Sequence, residues 1–139
     1  MEPALILSDE SLRLAGILFL ALVTVESGGL YMMRIVRGMV AVTSFQLAFA
    51  RAGHAHAGVL LILALVCQVF ADATNQSGLL DWVSRSGVAV AALLMPGGFF
   101  FASMGPGREK PNGFIALVFV GAGLLAVSLT CLGIGLLSA

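Results

Sequence analysis

The most informative stretch of this chain is RAGHAHAGVLLILALVCQVFA, residues 51–71. It begins with an arginine and the chain's two histidines, and it continues as a long apolar run. Ionisable side chains are costly inside hydrocarbon, so within a membrane segment they are candidates for a functional site. The rest of the sequence indicates that this run does lie in a membrane.

The composition is that of an integral membrane protein. Of 139 residues, 60% are hydrophobic and 10% are charged, and the mean hydropathy is +1.07. Soluble domains carry about 25% charged residues, so such a chain cannot cover a water-facing surface. Seven basic and seven acidic residues cancel, and a neutral chain offers no basic patch for nucleic acid. We therefore expect the lipid bilayer as a partner and exclude nucleic acid.

Four apolar segments divide the chain. Each contains about the 20 residues that a helix needs to cross a bilayer, and backbone groups in lipid must pair internally, which favours helices. The sequence predicts a single all-α domain, 1–139, an integral membrane four-helix bundle with antiparallel up-down topology. The predicted spans are about 12–33, 45–73, 82–104 and 113–137.

The distribution of arginine and lysine predicts the orientation. Basic residues concentrate in the cytoplasmic loops of membrane proteins. The loops after the first and third segments contain most of them, whereas the opposite side has two. We therefore expect a multi-pass protein of the bacterial plasma membrane with both termini outside. The residues concerned are Arg34, Arg37, Arg108 and Lys110 on one side, and Arg13 and Arg85 on the other.

Three segments place their least lipid-like residues at one depth. Glu26, His54 and Pro96 each lie about 12–13 Å from the end of their segment, at 1.5 Å per helical residue. An unpaired charge at that depth is expensive, so Glu26 and Arg51 each need a partner. The sequence therefore predicts one buried cluster of Glu26, Arg51 and His54, in which Glu26 could also fix the imidazole tautomer.

The second segment has a polar stripe at helical spacing. We expect it to face the bundle interior, where Gly58 would let a neighbouring helix approach. The plainer alternative is a polar seam that joins helices and has no further role. The stripe consists of Leu47, Arg51, His54, Gly58, Leu61, Leu65, Gln68 and Asp72.

His56 lies off this stripe. Two residues correspond to about 200° around a helix, so a regular helix cannot direct both imidazoles at one ion. Either Gly53 breaks the helix, or His56 faces another helix of the bundle or a second subunit.

Pro96 interrupts the third segment. It frees a carbonyl near Ala92, and the glycines at 97 and 98 leave a gap beside it. A packing kink is one interpretation. The functional one is a cavity wall opposite His54, lined or capped by the phenylalanines at 99–101.

The RAGHAHAG segment resembles known membrane proteins. Over most of the chain the sequence resembles small four-span integral membrane proteins of actinobacteria. It is distantly similar to the four-span hydroxylaminobenzene mutases, where Arg51, His54 or His56, and Gly58 match an arginine, a histidine and a glycine that open the second helix. The asparagine and glutamate of that mutase segment are alanine, valine and leucine here. The histidine-containing start of this segment also resembles the haem–copper oxidase-like helices of nitric-oxide-response membrane proteins, a likeness carried by a histidine and a glycine.

These observations predict a membrane-embedded metal- or haem-dependent enzyme acting on a small apolar or redox-active substrate. The predicted catalytic residues are Glu26, Arg51 and His54. His54 and His56 would bind a cofactor, and together with Glu26 they would form a metal site. Iron, copper or haem would suit these ligands, and a site with no cofactor stays equally open.

Three further functions are compatible with the sequence. The mutase resemblance implies an arylhydroxylamine mutase-like isomerase. The others are a non-enzymatic accessory subunit and a proton or ion path along Glu26, His54, Gln68 and Asp72. A four-helix bundle of this size has little internal volume, so we also expect a homo-oligomer.

Overall fold

The computed structural model describes residues 7–139. In this part of the chain the helices are α1 (Asp9–Val36), α2 (Ser44–Ala71), α3 (Gly78–Ala102) and α4 (Ala116–Leu137), and a short 3-10 turn, Gly113–Ile115, precedes α4. This confirms the all-α, four-helix fold. All four are long and apolar enough to cross a membrane.

The helix ends lie within four residues of the predicted ones. α1 extends beyond its predicted span at both ends, whereas α2 and α3 each end two residues earlier than predicted. Ser8 caps α1 by accepting a hydrogen bond from the Ser11 N–H. Thr43 and Gln46 form a reciprocal capping box at the start of α2. Such caps satisfy N–H groups that have no partner inside the helix. At about 42 Å for 28 residues, α1 and α2 exceed the hydrocarbon thickness of about 30 Å.

Consecutive helices pack side by side and run in opposite directions. Ser8, before α1, bonds to Asp72, which follows α2. Arg85, near the start of α3, also binds Asp72. Near the end of α3, Gly98 packs against Val118 at the start of α4. We call the end that contains Ser8 and Asp72 the termini end, and the opposite end the basic-loop end.

The helices α2 and α3 occupy the middle of the molecule. α3 has ten buried residues, whereas α1 has three, Ser11, Leu18 and Ile35. The main packing partner of α1 is α2, and that of α4 is α3. Most of the surface of α1 therefore faces outward.

Glycines bring α3 and α4 into backbone contact. A Cβ atom at Gly98 would lie 2.8 Å from the backbone nitrogen of Val118 and 2.7 Å from its Cγ2. A Cβ at Gly121 would lie 2.6 Å from Cγ of Met95. Membrane helices use small residues for such close approach. This packing corrects the predicted cavity beside Pro96, because Val118 already fills the gap at Gly98.

Candidate functional site

The RAGHAHAG segment is continuous α-helix, so Gly53 does not break α2. Gly53 is instead a contact point, where a Cβ would lie 3.0 Å from the ring of Phe100. His54 and His56 consequently face different helices. Of the two predicted alternatives for His56, the structure shows the one in which it faces another helix.

His54 is directed toward α1. Its ring lies against a glycine pair: a Cβ at Gly28 would be 3.2 Å from the imidazole Nδ1, and one at Gly29 would be 3.7 Å from Nε2. The glycines thus make room for the ring where α1 crosses α2. His54 is half-buried there.

His56 lies on the other side of α2, against α3. Its Nδ1 is 2.7 Å from the carbonyl oxygen of Ala52. A carbonyl can only accept, so Nδ1 carries the proton, and the neutral imidazole has its lone pair on Nε2. The ring packs on Phe99 at a centroid distance of 5.0 Å. His56 is half-buried, so part of the residue stays accessible.

A line of aromatic rings leads from the start of α2 to this histidine. Phe45 contacts Phe49 with ring centroids 4.2 Å apart, and Phe49 contacts Phe99 at 5.5 Å. We call Phe45, Phe49 and Phe99 the aromatic row. The phenylalanines at 99–101 do not together line or cap one cavity, as predicted, because they face different partners. Phe100 packs on Gly53, and Phe101 packs on Phe114.

Glu26 and Arg51 do not join His54 in a buried cluster. Both residues are exposed, and no ion pair forms between them within residues 7–139. One helical residue corresponds to about 100° of rotation. Arg51 directly follows the buried Ala50, so the packing that buries Ala50 turns Arg51 outward. Charged groups at helix centres cost about 2.5–3.5 kcal/mol on insertion scales, so this exposure needs an explanation.

The predicted metal site is not assembled either. The described part of the chain contains no group of three or more histidine, cysteine or carboxylate side chains that could hold a metal ion. His54 and His56 point to α1 and α3, and Glu26 is exposed. His54, His56 and Glu26 of one chain therefore do not fit a shared iron or copper ion, and a haem could take at most one of the two histidines as a ligand.

Gly58 also differs from its prediction. No atom lies within 4 Å of a Cβ built on it, so no helix of the same chain approaches there. The close approach occurs at Gly53, on the side of α2 that is buried. The predicted stripe is correct only toward the termini end, where Leu61 and Gln68 are buried.

At the termini end, the stripe leads into a polar cluster centred on Arg85. The guanidinium binds Asp72 at 2.7 Å and Asp81 at 3.0 Å, and it donates to the hydroxyl of Ser11. Only 10% of the Arg85 side chain and 9% of the Asp72 side chain are exposed. Gln68 donates to the backbone carbonyl of Arg85 at 2.8 Å. The cluster therefore joins α1, α2 and α3.

The Asp72 carboxyl is held in its charged form. Burial alone would raise its pKa, but hydrogen bonds from the Ser8 N–H, from Arg85 and from the Ser8 and Ser11 hydroxyls outweigh burial and lower the pKa from 3.8 to about 2. Arg85 also lies 3.8 Å from the exposed Glu10, so three carboxylates surround its guanidinium, and their ion pairs hold α1, α2 and α3 together. This cluster is not among the sites predicted from the sequence, although the spacing of Asp81 and Arg85 is that of an i,i+4 helix pair.

The middle residues of the predicted proton path lie far apart along α2. His54 and Gln68 are about 21 Å apart along α2, at 1.5 Å per residue. Leu61 lies buried between them, and Gln68 donates to Ala64 and Arg85 carbonyls rather than toward His54. Among the hydrogen bonds of the described residues, none links His54 to Gln68.

Comparison with known proteins adds no relative: no family model, curated protein or solved structure matches the chain. Its function is therefore argued from its own geometry.

Proposed function

We propose that this protein binds a small apolar, redox-active molecule of the hydroquinone type within the membrane, with His56 as the recognising group. The observation that carries this proposal is the hydrogen bond from His56 Nδ1 to the Ala52 carbonyl. It orients the ring and leaves Nε2 as a free acceptor at membrane depth.

A hydroquinone has the features that this position can recognise. Its hydroxyl can donate to the Nε2 lone pair, and its flat ring can pack on Phe99 or Phe49 of the aromatic row. Small-molecule sites combine such apolar and aromatic walls with a few placed polar groups. His56 is half-buried in the contact between α2 and α3, so a lipid-soluble ligand can reach it laterally from the bilayer.

His56 is favoured over His54 for this role. The ring of His54 packs against the glycine pair on α1, and no aromatic ring contacts it among the described residues, whereas His56 packs on Phe99. We therefore assign ligand binding to His56. The predicted catalytic role of His54, Glu26 and Arg51 is not part of this proposal.

The test is binding of reduced decylubiquinone to the protein in lipid nanodiscs without oxygen. Loss of one neutral hydrogen bond costs about 1 kcal/mol, so His56→Phe should weaken binding by about fivefold. His54→Phe is the matched control and should bind as the unaltered protein does. Equal affinities for the unaltered protein and His56→Phe would contradict the proposal.

An activity assay with the same variants tests the mutase resemblance. An arylhydroxylamine also offers an aromatic ring and an O–H donor, and phenylhydroxylamine is the simplest example. Conversion of phenylhydroxylamine to an aminophenol, lost in His56→Phe, would favour the isomerase. Stoichiometric iron, copper or haem in the purified protein would instead favour the metal-dependent enzyme, with ligands from more than one copy.

A further inference from the structure

The surface formed jointly by α1 and α2 contains the two exposed charges at membrane depth. On α1 it comprises Val23, Glu26 and Leu30, and on α2 it comprises Arg51, Gly58 and Ile62. We call this surface the α1–α2 face. Its apolar members Val23, Leu30 and Ile62 are 66%, 71% and 56% exposed. Its two charged residues are exposed as well.

Helix geometry places Glu26 and Arg51 on the same side of the helix pair. Glu26 lies three residues before Gly29, and Arg51 lies three residues before His54, which Gly29 contacts. Three residues back along a helix rotate the side chain by about 60°. Since α1 and α2 run in opposite directions, the two rotations turn both side chains toward one side. Arg51 is also about 140° around α2 from His56, so it points away from α3.

The face is self-complementary in charge. It contains one carboxylate and one guanidinium, about 9 Å apart in depth at 1.5 Å per residue. A two-fold axis along the membrane normal keeps every residue at its depth and places each acid beside the base of the other copy. The side chains of a glutamate and an arginine can together bridge that difference in depth. A second copy of this chain thus satisfies both charges with no other partner.

We propose that two copies of this protein pack through the α1–α2 face, with Glu26 against Arg51 of the partner subunit and the reverse pair on the other side of the axis. Gly58 lies on this face with open space beside it, so the partner's helix can approach the backbone there. The His56 position lies on the opposite side of α2, so the dimer and the proposed ligand site are independent.

The test is a charge exchange, with the dimer dissociation constant measured by energy transfer between labelled copies in liposomes. Glu26→Arg alone and Arg51→Glu alone should each weaken the dimer about tenfold or more, because each places like charges together. The double variant Glu26→Arg/Arg51→Glu restores opposite charges and should recover the original affinity to within about threefold. The control Glu109→Arg, in an exposed loop, should have no effect.

A second measurement keeps the proposal falsifiable if a charge variant does not insert. With Cys67 and Cys131 replaced by alanine, Leu30→Cys or Ile62→Cys should form disulfide-linked dimers in membranes. Phe119→Cys, equally exposed but on α4, should not. A monomer throughout, single variants that stay dimeric, a double variant that fails to recover, or cross-linking through Phe119→Cys alone would each overturn the α1–α2 dimer.

Discussion

At the scale of single residues, burial and partners distinguish the ionisable groups of this chain. Arg85 is buried and forms ion pairs with three carboxylates, Asp72, Asp81 and the exposed Glu10, whereas Arg51 is exposed and has no such partner among the described residues. Breaking a buried ion pair leaves an uncompensated charge, which is more costly than the pair is stabilising. The Arg85 cluster should therefore control the stability of the bundle.

Arg85→Met should destabilise the protein by about 3–5 kcal/mol, since Asp72 and Asp81 would keep their charges without a counter-ion. Unfolding in detergent followed by circular dichroism measures the change. Arg13→Met is the control, because Arg13 is exposed and should change stability little. Comparable stability for the two variants would show that the cluster does not lock the helices.

The lowered pKa of Asp72 predicts an acid-sensitive fold. A carboxyl whose pKa falls from 3.8 to about 2 on folding stabilises the fold above pH 3.8, and this contribution is lost as the pH falls toward 2. The melting temperature should therefore drop across that window. In Asp72→Asn the drop should be smaller, and an identical pH profile for both proteins would contradict the assignment.

At the scale of elements, glycine positions determine how closely the helices pack. Gly97 and Gly98 are neighbours in α3, but a Cβ at Gly98 meets the backbone of Val118 at 2.8 Å, whereas at Gly97 the nearest atom is 3.7 Å away in Phe101. One glycine is therefore required by the α3–α4 contact and the other is not.

Gly98→Ala should destabilise the bundle by about 1–3 kcal/mol, as expected when atoms are added to a tightly packed interior. Gly97→Ala should be neutral or slightly stabilising, because alanine is the better helix former. Thermal unfolding of the two variants in the same detergent makes the comparison. A larger loss for Gly97→Ala would mean that α3 and α4 pack differently.

The helices could be predicted from the sequence, but the sides they turn to one another could not. Segment length and hydropathy sufficed to predict the four helices. Depth along each helix could also be estimated from the sequence, and Gly29, three residues after Glu26, does contact His54. Depth along a helix does not, however, determine how the helix is rotated about its axis, and this rotation decides which side chains face a neighbouring helix. Rotation of α2 follows from the fit of Ala50 and Gly53 into the bundle, which buries them and turns Arg51 outward. The Arg85 cluster combines residues of three helices, so no pattern within a single segment predicts it.

At the scale of the whole molecule, the orientation in the membrane stays a prediction from the basic loops. With Cys67 and Cys131 replaced by alanine, an impermeant thiol reagent applied to intact cells should label Ser138→Cys. It should label Glu109→Cys only after the membrane is opened. Both positions are exposed in the structure. If Glu109→Cys alone were labelled in intact cells, the protein would have the opposite orientation in the membrane.

The proposed function requires that His56 presents a free Nε2 to a ligand within the bilayer. Solid-state ¹⁵N NMR of histidine-labelled protein in lipid tests it most directly, with His54→Phe used to assign the signal. We expect Nδ1 of His56 protonated and Nε2 unprotonated, and a shift of the Nε2 signal toward that of a hydrogen-bonded acceptor when reduced decylubiquinone is added. A proton on Nε2 in the free protein, or a signal that does not change with saturating hydroquinone, would contradict the account.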